Sequence, residues 1–120
     1  MVVIICDDLN DSIAGMGGHP QAKTPNIDRL SARGVRFANA ASNCPLCGPS
    51  RASLWSGLHP VTSGYYGSNQ HANRWKNNPR IGSVNTVFET FTAHGYRNFA
   101  TGKIHHNGHE ELEIFENPDG

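Results

Sequence analysis

The chain opens on "MVVIIC", residues 1–6, six apolar residues that run straight into Asp7 and Asp8. Four of the six are β-branched, and nothing polar alternates with them. That is the pattern of a parallel strand covered on both faces, rather than of a half-exposed one. Parallel strands need crossover connections, usually helical, so this one segment points to an α/β chain. It also places a carboxylate pair at the carboxyl end of a strand, where open α/β sheets bind their ligands.

The rest of the chain supplies the expected crossovers. Residues 9–23 read as a Gly-rich loop. "TPNIDRLSARGVRF" reads as a helix with Thr24 as N-cap, Pro25 as first residue and Gly34 as stop, Ile27 and Leu30 sharing a face. "VRFANA" follows as a short strand. Pro49 to Trp55 suits a short helix ended by Gly57. Residues 58–83 are polar, with Gly, Asn, Pro and His throughout, and read as a long loop. Within it Tyr65, Tyr66, His71 and Trp75 either line a pocket or pack on the surface. "NTVFETFTAHGY" carries a capping box, Thr86 with Glu89, and a stop at Gly95. "YRNFATG" is the last strand, delivering Lys103 and "IHHNGH" at its carboxyl end. The order strand, helix, strand, helix, strand, without repeats, argues for a mainly parallel sheet.

Ten basic residues balance ten acidic ones, so no net field draws the chain to nucleic acid or an anionic membrane. No apolar run reaches the roughly 18 residues of a membrane span. The opening run lacks a basic leader and ends in aspartates, unlike a signal peptide. It begins inside a strand, and "ENPDG" closes on a turn-like sequence, so the expectation is a piece of a longer chain, truncated at both ends.

Three cysteines exclude a complete disulfide framework within the chain. Cys44 and Cys47 form a C-x-x-C, which alone fits a redox pair, half a zinc site or chance adjacency. Neither chemistry requires the residues that follow, Gly48, Pro49, Ser50 and Arg51. By its composition Cys44 reads as a small buried residue and Cys6 as core.

Cys47-Gly48-Pro49-Ser50-Arg51 resembles the C-x-P-S-R signature of the type I, formylglycine-dependent sulfatases. "IICDDLND" looks like their first strand and metal-binding aspartates. "TPNIDRLSARGVRFANA" is similar to the family's stretch before the active-site loop. "CGPSRASLWSGLHP" resembles their modification motif, and "GYRNFATGKIHHNG" their strand with a catalytic lysine and histidine. Four motifs in the family's order cover about 100 of the 120 residues. Among departures, "SLWSG" replaces the commoner Leu-Leu-Thr-Gly.

The resemblance implies an alkaline-phosphatase-like α/β fold, with residues 1–120 as the N-terminal part of a single catalytic domain. It implies that Cys47 is oxidised to formylglycine by a formylglycine-generating enzyme. The hydrated aldehyde carries two hydroxyls, so one can take the sulfate and the other can expel it, splitting one displacement into two steps. Asp7, Asp8 and residue 47 would be ligands of Ca²⁺, or of Mg²⁺, acting as a Lewis acid. Arg51 would hold the residue-47 hydroxyl, and Lys103 the sulfate oxygens. In Gly102-Lys103-Ile104-His105-His106-Asn107-Gly108 the spacing matches the iduronate-2-sulfatase-like and choline-sulfatase-like branch. That makes His106 the catalytic histidine and gives His105 a packing role, with His105 as the alternative assignment.

The implied activity is hydrolysis of a sulfate ester on a small molecule or carbohydrate. Export or a lysosomal location is the family's habit. The remaining metal ligands and a second lysine lie downstream in the family, so the 120 residues alone are expected to be inactive. Two rivals remain: a phosphonate monoester or phosphodiester hydrolase of the same superfamily, and a C-x-x-C redox or metal-binding module.

Overall fold

The computed structural model describes residues 1–67 and 75–106. His71, Asn107, Gly108 and His109, singled out above, lie outside the described residues. The chain divides into two compact units, Met1–Ala41 and Ser42–Gly120.

In the first unit residues 1–6 form no regular element and are exposed, Val2 at 85% and Ile4 at 82%, and Cys6 is exposed as well. The expectation of a core Cys6 is therefore not met. Asp8 turns the chain with φ 57°, a left-handed conformation that a short polar side chain tolerates. A 3₁₀ turn, Ala14–Met16, precedes helix α1, Pro25–Arg33. Pro25 leads the helix as expected, since its missing N–H costs nothing in the first turn.

Thr24 sits at the N-cap, but its hydroxyl is used otherwise. Its Oγ1 donates to Asp28 Oδ1 and accepts from the Ala14 N–H, both at 3.1 Å. The threonine thus ties the 3₁₀ turn to the helix instead of capping it. Gly34 is extended (φ −124°), not left-handed, so the expected glycine stop is absent. Ile27 and Leu30 share a face but remain exposed.

The second unit holds the core: Ala52, Trp55, Tyr65, Trp75 and Ile81, with Leu58, Val87, Phe88 and Ile104 packed against it. Helix α2, Cys47–Ser56, ends at left-handed Gly57 (φ 72°), whose N–H returns to Ser53 O at 2.9 Å. The expected stop is realised, because glycine takes that φ without the strain a side chain would bring.

The segment read as a long loop is organised where it is described. It forms helix α3 (Pro60–Ser63), a 3₁₀ turn (Trp75–Asn77) and helix α4 (Pro79–Gly82). Both short helices begin with proline after a capping side chain. His59 Nδ1 accepts from the Val61 N–H, and Asn78 Oδ1 accepts from the N–H groups of Arg80 and Ile81. These caps satisfy donors that a four-residue helix cannot satisfy internally. A Cβ on Gly82 would lie 2.5 Å from Lys76 O, so only glycine lets α4 pack this closely on the preceding turn.

Helix α5, Val87–Ala93, starts with the expected capping box. Thr86 Oγ1 accepts from the Glu89 N–H at 3.1 Å, and Glu89 Oε2 accepts from the Thr86 N–H at 2.7 Å. Gly95 follows the helix with φ 79°, its N–H on Thr92 O.

None of the described residues forms a strand. The α/β expectation of a mainly parallel sheet is thus not met among the described residues. "VRFANA" and "YRNFATG" form no regular element and are largely exposed, Val35 at 82%, Phe37 at 78% and Phe99 at 57%. A helix closes its hydrogen bonds locally, whereas a strand exists only through a neighbour.

Candidate active site

Cys47 is the first residue of α2 and half-buried, and all three cysteines are free thiols. Cys44, expected to be buried, is also half-buried. Leu46 at the N-cap has no oxygen to offer the first N–H groups of α2, so the positive end of the helix is left uncapped by a side chain at Cys47. Gly48 and Pro49 are buried behind it.

The approach to the helix is stapled by short polar side chains. Ser42 Oγ donates to Cys44 O at 2.6 Å and lies 2.9 Å from Ser50 Oγ. Asn43 Nδ2 donates to Ser53 Oγ. Residues 42–46 are thereby held along the first two turns of α2, which fixes where Cys47 sits.

Arg51 and Trp55 follow Cys47 at intervals of four, so all three occupy one helix face. Arg51 is only 6% exposed, and its Nη1 donates to Lys103 O and, at 3.3 Å, to Ile104 O. Trp55 Nε1 donates to Ile104 O at 2.9 Å. The Trp55 ring rests on Phe88 of α5, centroids 4.7 Å apart. The backbone of residues 103–104 is therefore gripped from one face of α2.

Around that grip the side chains of Lys103, His105 and His106 diverge. Lys103 presents an exposed side chain. His105 is buried at 4% exposure under the Trp75 ring. Burial, and secondly the Arg51 charge, lower its pKa to about 4, so the ring is neutral at neutral pH. His106 is half-buried, and its Nδ1 has no hydrogen-bond partner among the described residues. The two histidines thus occupy different environments.

Tyr65 is a core residue that sequence reasoning left undecided between pocket and packing. Burial, and secondly its interaction with Cys47, raise the pKa of its phenol. Trp75 is likewise buried, while Tyr66 is exposed. The grip of Trp55 on Ile104 was not expected from the sequence. Its one signal was a tryptophan N–H on the same face as Cys47 and Arg51.

Asp7 and Asp8 belong to the first unit and are exposed. Their carboxylates are hard oxygen donors of the kind Ca²⁺ and Mg²⁺ prefer. Among the described residues no group of three or more His, Cys, Asp or Glu side chains is arranged to hold a metal ion. Two adjacent carboxylates fit such a cation in chemistry, but supply fewer than the roughly six oxygens it takes.

The family model described as Sulfatase matches residues 1–116. A sulfatase of Formosa agariphila is 38% identical over 109 residues, covering 89% of this chain and 21% of its own length. The N-acetylgalactosamine-6-sulfatase of Mus musculus is 36% identical over 110 residues, covering 88% and 21%. The Delta 4,5-hexuronate-2-O-sulfatase of Bacteroides thetaiotaomicron is 38% identical over 110 residues, covering 89% and 22%. The chain thus spans about a fifth of the length of the curated relatives it matches.

Proposed function

The chain belongs to the sulfatase family, and from that premise we propose that it is the N-terminal part of one catalytic domain that hydrolyses a sulfate ester. The observation that carries the reading is the convergence on α2: Cys47 at its start, Arg51 one turn on, and the Lys103–His106 segment held against that same face. A buried guanidinium and an uncapped helix end put positive potential where a sulfate group needs it. The family implies an alkaline-phosphatase-like fold, in which "MVVIIC", "VRFANA" and "YRNFATG" are interior strands.

In this reading Cys47 is converted to formylglycine by a formylglycine-generating enzyme, and Asp7 and Asp8 hold Ca²⁺, or Mg²⁺, with residue 47. Those two groups supply a hydroxyl nucleophile and a Lewis acid. The chain's own side chains do the rest. Arg51 adds fixed positive charge beside residue 47 and anchors the opposite segment. Lys103 binds sulfate oxygens as a compact cation. His106 exchanges a proton with the leaving oxygen, and the neutral, buried His105 packs behind it. The relatives' names point to sulfated sugars as the substrate class, a carbohydrate or a similar small molecule. No described helix is long and apolar enough to cross a membrane.

The test uses the full-length protein expressed beside the modifying enzyme. The peptide bearing Cys47 should be lighter by roughly 18 Da with Cys44 unmodified, and an aryl sulfate should turn over faster than the matching aryl phosphate or phosphonate. A reversed preference assigns the phosphoester reading instead. A reversible Cys44–Cys47 dithiol with no mass loss sinks both.

A further inference from the structure

The Lys103–His106 segment has no helix or ladder of its own, yet it carries the lysine and both histidines. Its position is set by side chains reaching from α2. Arg51 bonds two successive carbonyls, and Trp55 Nε1 bonds the second of them. Gly102, with φ 77°, turns the chain into this grip. The tryptophan is itself fixed: it is 7% exposed and its ring packs at a tilt against Phe88. Arg51 is a charged group that also faces the reaction, whereas the indole N–H has one evident task. An aliphatic residue at position 55 would fill the same core but donate nothing, leaving Ile104 O with a single donor.

We propose that Trp55 is a positioning residue: its indole N–H clamps Ile104 O and so holds Lys103 and His106 in register with Cys47. This rests on the sulfatase reading for its catalytic consequence, though the clamp itself does not. One N–H···O bond on a flexible segment shifts its opening equilibrium by about fivefold to tenfold when lost. The same loosening spreads the placement of Lys103 and His106, which lowers kcat more than it raises KM.

The experiment replaces Trp55 in the full-length protein with Phe, and separately with 3-benzothienylalanine, whose sulfur replaces the N–H in a ring of nearly the same shape. Two readings are taken. Native-state trypsin cleavage at the Lys103–Ile104 bond, which follows an exposed lysine side chain but whose carbonyl is held by Arg51, reports opening of the segment. Steady-state kinetics on an aryl sulfate reports kcat and KM. The expected result is cleavage there about fivefold faster with both replacements, no change at Lys23 or Arg33, and a kcat lowered by a smaller factor, through looser placement of Lys103 and His106, at similar KM. Cleavage that rises equally at all sites marks loss of general stability and overturns the clamp. So does a benzothienylalanine protein that behaves as the parent in both readings. A parent with no sulfate turnover sinks the function proposed above, and the proteolysis then judges the clamp alone.

Discussion

Trp75 lies over His105, ring centroids 4.7 Å apart and planes inclined by 32°. The pair seals the imidazole from water, and burial with the Arg51 charge holds its pKa at about 4. The unfolded ring titrates near 6.5, so between pH 4 and 6.5 the unfolded chain binds more protons than the folded one. Stability is therefore fully present above pH 6.5 and is lost as pH falls toward 4. At about 1.4 kcal/mol per pKa unit the loss approaches about 3 kcal/mol. The melting midpoint followed from pH 7 to 4 should drop across this window. His105→Phe, which keeps a ring under Trp75, should flatten the curve there; an unchanged curve would assign the slope to other groups.

The cap of α5 is the second point of leverage. Thr86 is fully buried and serves four bonds: its hydroxyl takes the Glu89 N–H, its N–H goes to Glu89 Oε2, and its carbonyl takes both the N–H and the hydroxyl of Thr90. Glu89 also pairs with Lys76, joining the helix to the turn beneath it. Burial raises the Glu89 pKa, but the Lys76 and Thr86 bonds outweigh it and the net direction is down. Thr86→Ala should cost about 1–2 kcal/mol in chemical denaturation. Thr86→Ser, which keeps the acceptor, should recover most of it.

What was legible in the chain was what a few neighbouring residues decide. The Thr86–Glu89 box, the proline at the start of α1 and the glycine after α2 are each settled within about one helical turn. Thr24 and Gly34 were misread because a second partner, Ala14 with Asp28 for one and extended backbone for the other, overrides the local preference. His59 and Asn78 cap helices too short for any periodicity to show. The strands failed for a different reason. "MVVIIC" states that it belongs inside a sheet, but a ladder also needs a partner, and the described residues contain none. In the site, the spacing within α2 was readable, whereas the Trp55–Ile104 bond spans 49 positions and left no local trace.

Asn78 links two of the short helices that were read as loop. Its Oδ1 caps α4 through two N–H groups, and its Nδ2 donates to Ser63 O at 3.0 Å at the end of α3. It is 4% exposed, so water cannot replace these bonds. Asn78→Ala should cost about 2–3 kcal/mol, more than an exposed cap, because buried partners lose their bonds together. Asn78→Asp should retain the cap but lose the link to Ser63, and fall between the two. Equal melting of the three proteins would show that α3 and α4 are held by packing alone.

Asp7 and Asp8 provide the last test, one of metal affinity. Adjacent carboxylates repel, and a divalent cation is the natural means of relieving that repulsion. The substitution must respect the backbone. Asp8 has φ 57°, which asparagine tolerates and alanine does not, so Asp8→Asn removes charge without adding strain. In the full-length protein Asp7→Asn and Asp8→Asn should each weaken Ca²⁺ binding by at least about tenfold in calorimetry, because affinity follows the charge of the ligand set. Chelation should abolish aryl sulfate turnover in the parent, and Ca²⁺ should restore it. Raised Ca²⁺ should restore part of the turnover in the asparagine variants, since they lack charge but keep an oxygen in place. Unchanged calorimetry in both variants would remove Asp7 and Asp8 from the metal site.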